Sequence, residues 1–388
     1  MAKKTWTLID VDHDVYIDEL SIAPADVGGS AAGFGVQKRT LRGGLRDGVD
    51  VVEVEAGACR FTLVPTRGMG IWRVRFGDLP VEWKSPIRGP VHPRYVPLAD
   101  PGGLGWLDGF DELLVRCGLE SNGAPDFDAA GRLRYPLHGR IANRPAHKLE
   151  VTVDGDTGQV SVTGVVDESR FHFQKLRLTS TVTASPDANT LRIHDRVTNI
   201  SGNRAGIQLL YHVNPGAPIL EPGSRLVAPV RIVAPRDQVA AAHMGTWDCY
   251  AAPQSEFAEQ VSYFELLSDG DGMTRTLLKN ADGTLGMSLV FSTDQLPCFS
   301  LWKNTPMAAD GYVTGLEPGT NFPNARSFEA ENGRVVALGP GESVTFDLRL
   351  NGHANAAEVA AAERAVDQLQ RGTHPTVLDQ PRRGWSPG

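Results

Sequence analysis

Residues 148–168 read KLEVTVDGDTGQVSVTGVVDE, and this stretch decides the fold class. Leu149, Val151 and Val153 alternate with polar residues before the turn sequence DGDTG, and the alternation resumes at Val160. Apolar side chains at every second position are typical of a strand with one buried face, and a Gly-rich turn between two such runs indicates a β-hairpin. The stretch therefore predicts two neighbouring antiparallel strands.

The same pattern recurs towards the C-terminus. Two alternating runs flank the turn SPDAN within residues 176–197, and two more flank the turn GPGE within residues 334–350. The runs follow one another at short spacing with no helical segment between them, whereas a parallel sheet needs long crossover connections. We therefore predict an all-β protein, built as a sandwich or a barrel.

One helix is predicted, near the C-terminus. Residues 354–370 (ANAAEVAAAERAVDQLQ) are rich in Ala and lack Gly and Pro, and Gly372 follows as a stop signal. Because this segment comes after the last strand, we expect the helix to pack on the outside of the sheets. The remaining tail, residues 374–388, is expected to be extended and poorly ordered.

No internal repeat, charge block or linker divides the chain, so we expect a single domain over residues 1–388. Its motif-bearing core covers about residues 50–350. An irregular insertion over residues 84–135 carries much of the Gly and Pro. Loops of that length in a folded domain commonly form the walls or lids of functional sites.

Composition excludes several classes of protein. The chain has 388 residues, of which 41% are hydrophobic and 22% charged, which suffices for a large core and argues against disorder. No apolar run approaches the roughly 20 residues of a membrane helix, and none follows the basic N-terminus, so neither a membrane protein nor a signal peptide is expected. The net charge of −8 gives nucleic-acid binding no electrostatic support.

Cofactor and metal motifs are absent from the sequence. It contains no phosphate-binding GxxxxGK[ST] loop, no GxSxG elbow of a serine hydrolase and no HExxH zinc motif. The four cysteines form no CxxC pair, so they indicate buried thiols in a reducing cytoplasm rather than a zinc ribbon or a disulfide framework. We expect neither a cofactor nor a required metal.

Polar residues lie among apolar residues, Gly and Pro at three predicted strand ends, in the sequences LHGRIANR (137–144), LLYHVNPG (209–216) and GLEPGTNFP (315–323). Each contains a titratable side chain: His138, His212 and Glu317, respectively. Taken singly, each has a plain alternative, namely a surface histidine, a satisfied core histidine and a carboxylate that faces water. Taken together, two histidines and a carboxylate are enough to move protons between two oxygens of a sugar.

Six short sequences carry a resemblance to a known family. They are LHG (137–139), YHxN (211–214), GLEPGTNFPNA (315–325), TRGMGI (66–71), EWKSP (82–86) and RCGL (116–119). They resemble the aldose 1-epimerase (galactose mutarotase-like) superfamily, and most closely a bacterial branch of it that was first catalogued as a domain of unknown function. The resemblance covers roughly residues 50–350.

The resemblance implies a β-supersandwich with an active site on its concave face and the activity of an aldose mutarotase or related sugar epimerase. It implies that Glu317 is the base that takes the proton of the anomeric hydroxyl, that His212 is the acid that protonates the ring oxygen, and that His138 binds sugar hydroxyls. The ring opens, the C1–C2 bond rotates, and closure gives the other anomer. The implied partner is a monosaccharide or a modified sugar.

The candidate substrate-binding residues are Arg67, Arg140, Asn143, Asn214, Asp248 and Trp302. The arginines suit sugar hydroxyls or an anionic substituent, and the tryptophan suits the C–H face of a sugar, although solvation or core packing would also explain them. Asp248 is the best candidate for the family's sugar-binding aspartate. Arg140 after His-Gly departs from the pattern of the galactose enzymes, which leaves the identity of the sugar open.

Two other functions stay open on the sequence alone. The same His and Glu would serve an isomerase or lyase that acts on a keto-sugar or a glycoside, and the fold would also serve a non-catalytic carbohydrate-binding module. A matched acid and base favour catalysis, because a binding module needs neither. We expect a cytoplasmic protein without nucleic-acid or membrane partners, and the oligomeric state is left open, a homodimer included.

Overall fold

The computed structural model describes residues 3–387, which form two large, mostly antiparallel β-sheets around a shared core. The first half of the chain contains the strands β1 (Lys3–Asp10), β2 (Val15–Tyr16), β3 (Leu20–Ile22), β4 (Phe34–Thr40), β5 (Asp50–Ala56), β6 (Cys59–Val64), β7 (Gly70–Phe76), β8 (Leu79–Pro80), β9 (Leu114–Leu119), β10 (Asp126–Phe127), β11 (Leu133–Tyr135), β12 (Lys148–Asp154), β13 (Val160–Ser169), β14 (Lys175–Ala184) and β15 (Thr190–Asn199). The second half contains β16 (Ala205–Val213), β17 (Arg225–Val227), β18 (Val230–Pro235), β19 (Gln260–Leu266), β20 (Met273–Lys279), β21 (Gly286–Ser292), β22 (Cys298–Asn304), β23 (Val313–Gly319), β24 (Val336–Leu338), β25 (Ser343–His353) and β26 (Thr376–Val377). The α-helices are α1 (Pro24–Val27), α2 (Gln238–Ala241), α3 (Arg326–Glu331) and α4 (Ala356–Gln370).

The first sheet has ten strands in the order β17-β20-β21-β25-β15-β14-β13-β12-β1-β2. The second has fourteen, with β26-β18-β19-β22-β23-β16-β9-β7-β6-β5-β4-β3 along its main path, β24 beside β16 and β8 beside β7. Strands β10 and β11 form a separate two-stranded sheet. The all-β prediction with a C-terminal helix is confirmed, and α4 packs through Val359, Ala362 and Val366 against Leu277 of the ten-stranded sheet.

The hairpin predicted from residues 148–168 is confirmed as β12 and β13, in which Val151 pairs with Val162. The inward side chains of both strands are buried at every second position, as the alternation predicted. The two runs of residues 334–350 do not pair with each other: Leu338 of β24 pairs with Ala205 in the fourteen-stranded sheet, whereas β25 lies in the ten-stranded sheet. The turn GPGE therefore connects one sheet to the other.

The centre of the fourteen-stranded sheet is buried on both faces. Strands β9 and β23 are buried at every position, and β16 at all but one. One face contacts the ten-stranded sheet, and the segment before β9 covers part of the other. The insertion that was predicted to be irregular thus contains β9, an inner strand of the sheet. The sequence did not reveal this strand because its residues, LVRCGL, are all buried and show no alternation of polar and apolar side chains.

The tail beyond α4 was predicted to be poorly ordered, and this is wrong for the residues described, which stop at residue 387. Strand β26 pairs in parallel with β18, and the ring of Trp385 packs on that of Phe322 at a centroid distance of 5.1 Å. An aromatic contact of this kind cannot be located from the tail sequence because its partner is far away in the chain. No helix within residues 3–387 is long and apolar enough to cross a membrane.

Candidate active site

The alternation of β16 and β23 places two of the predicted catalytic side chains on the same face of the fourteen-stranded sheet. Tyr211 of β16 and Leu316 of β23 point into the main core between the sheets, so their neighbours His212 and Glu317 point to the opposite face. There the His212 Nε2 and Glu317 Oε1 atoms lie 3.2 Å apart, and both side chains are nearly fully buried. The two side chains lie within hydrogen-bonding distance of each other.

Gly315 makes room for this pair. It precedes Glu317 by two residues and therefore lies on the same face of β23. A Cβ atom at this position would lie 2.4 Å from Glu317 Oε1 and 3.0 Å from His212 Cε1. Any larger residue would push the carboxylate and the imidazole apart.

Asn214 fixes the orientation of the His212 ring. Its Nδ2 donates to the carbonyl oxygens of Glu112 and His212 at 2.9 and 3.1 Å, so its Oδ1 must accept the 2.5 Å hydrogen bond from His212 Nδ1. A neutral His212 then carries its proton on Nδ1 and turns the lone pair of Nε2 towards Glu317. Asn214 is a positioning residue that lies behind the imidazole.

Burial keeps both members of this pair uncharged near neutral pH. Burial, with a further contribution from Glu259, raises the pKa of Glu317 to about 8, and Arg236 opposes this. Burial, followed by the neighbouring His138, lowers the pKa of His212 to about 3 against the effect of the Asn214 hydrogen bond. Neither group is easily charged in this environment, so near neutral pH the pair holds one titratable proton, which lies on Glu317.

His138 completes the group from a loop beside β9. Its ring centroid lies 5.3 Å from that of His212, and its Nδ1 donates a 3.0 Å hydrogen bond to the carbonyl oxygen of Asn122. Asn122 also exchanges two 2.8 Å amide hydrogen bonds with Asn321 of the EPGTN sequence, which ties the histidine loop to the strand end that carries the carboxylate. Burial lowers the pKa of His138 to about 4, so the ring is neutral and its Nε2 is left to accept a hydrogen bond.

His138, His212 and Glu317 line a cavity of about 300 Å³, a size at the lower end of small-molecule sites. Its walls are formed by Leu104, Trp106, Leu107, Phe110, Ala124, Leu137, His138, His212, Arg236, Glu259, Val261, Trp302, Glu317 and Pro323. The aromatic rings are close to the histidines: Trp106 lies 4.5 Å from His138, and Phe110 lies 5.2 Å from His212, between centroids. Several of these wall residues come from the insertion over residues 84–135.

Two charged cavity residues, Arg236 and Glu259, were missed from the sequence. Arg236 Nη2 donates to Glu259 Oε1 at 3.0 Å, and Trp302 Nε1 donates to Glu259 Oε2 at 2.7 Å. Arg236 directly follows β18 and Glu259 directly precedes β19, its antiparallel neighbour. Arg236 and Glu259 could have been recognised from the sequence as a charged pair, because each lies at the end of one of two consecutive strands, where the two ends adjoin.

Of the six candidate substrate-binding residues, Trp302 lines the cavity and Asn214 lies behind His212. Arg67 and Asn143 lie together in the interior, and neither lines the cavity. Arg140 faces Glu120 at 3.5 Å, and Asp248 is paired with Arg225. The structure therefore brings only Trp302 of this set to the cavity beside the three catalytic candidates.

Arg67 is held in the interior by four hydrogen bonds to protein groups. Its side chain is completely buried, pairs with the Glu112 carboxylate, and donates to the carbonyl oxygens of Val91 and Gly109 and to Asn143 Oδ1 at 2.9–3.0 Å. These four bonds use four of its five N–H donors, and the side chain does not line the cavity. This arrangement gives the TRGMGI sequence a role in holding the segment before β9 on the sheet.

We expect Arg67→Met to destabilise the fold by about 3–5 kcal/mol, because it leaves the buried Glu112 carboxylate without its counter-ion. Urea denaturation followed by circular dichroism measures the change, with Arg42→Met at an exposed position as the control. Unchanged stability of the Arg67 variant would contradict a structural role for this guanidinium.

Within residues 3–387, no three His, Cys, Asp or Glu side chains are arranged to hold a metal ion. The acid–base chemistry of the pair needs none, since its parts are a proton donor, a proton acceptor and a cavity large enough to place a substrate between them.

Comparison with known proteins agrees with the fold. Residues 46–351 match the family model of DUF4432, a domain of unknown function. A "putative aldose 1-epimerase" from Klebsiella pneumoniae subsp. pneumoniae MGH 78578 is 33% identical, with a TM-score of 0.95 over 98% of this chain and 99% of that one. No curated protein matches the chain.

More distant structures share the fold alone. A galactose mutarotase-like protein from Clostridium acetobutylicum is 14% identical, with a TM-score of 0.57 over 83% of this chain and 99% of that one. Galactose 1-epimerase from Lactobacillus acidophilus NCFM is 11% identical, with a TM-score of 0.54 over 82% of this chain and 99% of that one.

Proposed function

The chain belongs to the DUF4432 family and has the galactose mutarotase-like fold, and from this premise we propose that it is an aldose mutarotase that interconverts the anomers of a sugar. The observation that carries the proposal is the Glu317–His212 pair, 3.2 Å apart in a cavity of about 300 Å³, which holds one titratable proton near neutral pH. Mutarotation needs one group that takes a proton from the anomeric hydroxyl and another that gives a proton to the ring oxygen. A one-proton pair supplies both.

In the reactive tautomer the shared proton lies on His212 Nε2, and Glu317 is a carboxylate. Glu317 accepts the proton of the anomeric hydroxyl while His212 donates its proton to the ring oxygen, the bond between C1 and the ring oxygen breaks, and an aldehyde forms. The pair then consists of a protonated Glu317 and a neutral His212, which is the distribution that burial favours. Rotation about C1–C2 and reversal of both transfers close the ring to the other anomer, and the proton count is conserved.

The other cavity residues suit the binding of the sugar. His138 has a free Nε2 that can accept a hydrogen bond from a hydroxyl, and the rings of Trp106, Phe110 and Trp302 can pack against C–H groups. Glu259 offers carboxylate oxygens at the rim.

An uncharged sugar fits this cavity better than an anionic one. The one arginine among the wall residues, Arg236, already donates to the carboxylates of Asp237 and Glu259 at 2.9 and 3.0 Å. His138 is neutral near pH 7, and Glu259 would repel an anion. Arg67 and Arg140, which the sequence suggested for an anionic substituent, do not line the cavity.

Anomer-exchange NMR across a panel of aldoses tests the proposal. The panel contains glucose, galactose, mannose and xylose, a 6-deoxy aldose, and a uronic acid, and the spontaneous exchange rate is subtracted for each sugar. We expect accelerated exchange for at least one neutral aldose and none for the uronic acid. An absence of acceleration across the neutral aldoses would refute mutarotase activity and leave the isomerase, lyase and binding-module alternatives.

The pH dependence follows from the shared proton. Between the lowered pKa of His212, about 3, and the raised pKa of Glu317, about 8, the pair holds one proton. Above about pH 8 this proton is lost and no acid remains, so kcat/KM is expected to fall by about tenfold per pH unit, after a plateau around neutrality. Exchange rates corrected for the spontaneous reaction at each pH measure this, and a corrected rate that rises steadily from about pH 7 to 9 would contradict a shared proton.

We further propose that the protein acts in the cytoplasm as one structural domain. All four cysteines are free, and three of them are buried, which suits a reducing compartment. One continuous hydrophobic cluster includes strands of both sheets, as expected of a single folding unit.

A further inference from the structure

The C-terminal tail, residues 373–387, runs back across the edge of the fourteen-stranded sheet towards the cavity. Its strand β26 pairs with β18, and the amide of Leu378 donates to the carbonyl oxygen of Val233 at 2.9 Å. Gln238 Nε2 then donates to Gln380 Oε1 at 3.1 Å. These contacts direct the tail along β18 to the point where that strand ends.

The last described residues of the tail contact two separate segments. Ser386 Oγ donates to the backbone carbonyl oxygen of Arg236, just beyond the end of β18. The carbonyl oxygen of Trp385 accepts a 2.8 Å hydrogen bond from Asn324 Nδ2, and its ring packs on Phe322. Trp385 is itself covered by the Arg382 guanidinium, 4.4 Å from its ring.

Both segments form walls of the cavity. Arg236 lines it directly and holds Glu259, which in turn holds Trp302. Pro323, which lies between Phe322 and Asn324, also lines it. The tail thus joins the Arg236 wall to the 322–324 wall, while neither Trp385 nor Ser386 lines the cavity.

We propose that the C-terminal tail is a positioning element of the sugar site: Trp385 and Ser386 hold the Arg236 wall and the 322–324 wall at the separation that binds the substrate. The effect on substrate binding rests on the proposed mutarotase function, whereas the fastening of the two walls does not. Arg236 and Phe322 both lie beyond the ends of strands, and the tail adds its contacts to those that Val261 makes with the Arg236 amide and Tyr263 makes with the Phe322 ring.

The test compares Trp385→Ala with the wild type in the full-length chain. Loss of the aromatic contact is expected to raise KM for the best aldose of the panel by about 3- to 10-fold, a range that corresponds to the worth of an aromatic pair, with kcat within about twofold. Hydrogen exchange, measured by mass spectrometry without any sugar, is expected to become faster at residues 234–238 and 321–326. Trp385→Phe should restore both properties.

Trp6→Ala is the matched control, because Trp6 is also a partly buried tryptophan but lies on β1 in the other sheet, opposite Val151. It should leave KM and hydrogen exchange at the two walls unchanged. Ser386→Ala, which removes the hydroxyl that donates to the Arg236 carbonyl, serves as a second variant with smaller changes in the same direction, should Trp385→Ala fold poorly.

The outcomes separate the two parts of the inference. Unchanged hydrogen exchange at both walls in the two tail variants would overturn the fastening, whether or not the enzyme acts on any aldose. Faster exchange with unchanged KM would overturn the effect on substrate binding, as would a fall in kcat at constant KM. Should the wild type accelerate no aldose, the mutarotase proposal fails while the hydrogen-exchange result still decides whether the tail fastens the walls.

Discussion

Glu317→Gln is expected to lower the enzymatic rate of anomer exchange by about 10²–10⁴-fold while sugar binding stays within a few-fold of wild type. The amide keeps the size of the carboxylate and can donate a hydrogen bond to His212 Nε2, 3.2 Å from the carboxylate in the wild type. It cannot accept the proton of the anomeric hydroxyl. The rate therefore falls because the base is lost, and the cavity keeps its shape.

Two measurements on the same Glu317→Gln sample make this test decisive. Calorimetry measures binding of the best aldose, and anomer-exchange NMR measures the rate. Glu331→Gln is the matched control, since it makes the same chemical change at an exposed position and should alter neither quantity. Retained binding with undiminished exchange would exclude Glu317 as the base.

The parts of the fold that the sequence predicted are those that depend on local alternation. The β12–β13 hairpin joins strands only a few residues apart, so the turn and the alternating side chains suffice to determine the pairing. The same local rule places His212 and Glu317, because each follows a core residue in a strand and must point to the other face. The prediction that these two residues act together thus has a structural basis in the period of the strand.

What the sequence did not predict depends on contacts between distant segments. Arg67 and Arg236 are both charged residues at strand ends, and nothing near them in the sequence shows that one is buried against Glu112 and the other lines the cavity. Similarly, the turn GPGE has the composition of a hairpin turn, yet it connects two sheets because β16 offers an edge to β24. Such choices are made by tertiary packing, which overrides local propensity.

Because the pair is buried, its two tautomers describe the chemistry better than a fixed base and a fixed acid. Glu317 and His212 were assigned as base and acid, which describes one tautomer of the pair. In the other tautomer the proton lies on Glu317, and burial favours this form because it contains no charge. The catalytic cycle alternates between the two forms, so the low-dielectric site stabilises the state that follows ring opening.

His212→Asn is expected to fold normally and to lose about 10²–10⁴-fold in exchange rate, because the amide cannot deliver a proton to the ring oxygen. His194→Asn is the control: His194 lies on the exposed face of β15 and bonds Asp347 at 2.8 Å, so its loss should leave exchange unchanged. Circular dichroism and anomer-exchange NMR on both variants measure folding and rate. The His212→Asn variant has no acid left to lose, so its residual activity should no longer fall as pH rises through about 8, the pKa of Glu317. A changed pH profile of this kind separates the loss of the acid from a general distortion of the site. Exchange near the wild-type rate in His212→Asn would instead assign the acid to His138, the other histidine of the cavity.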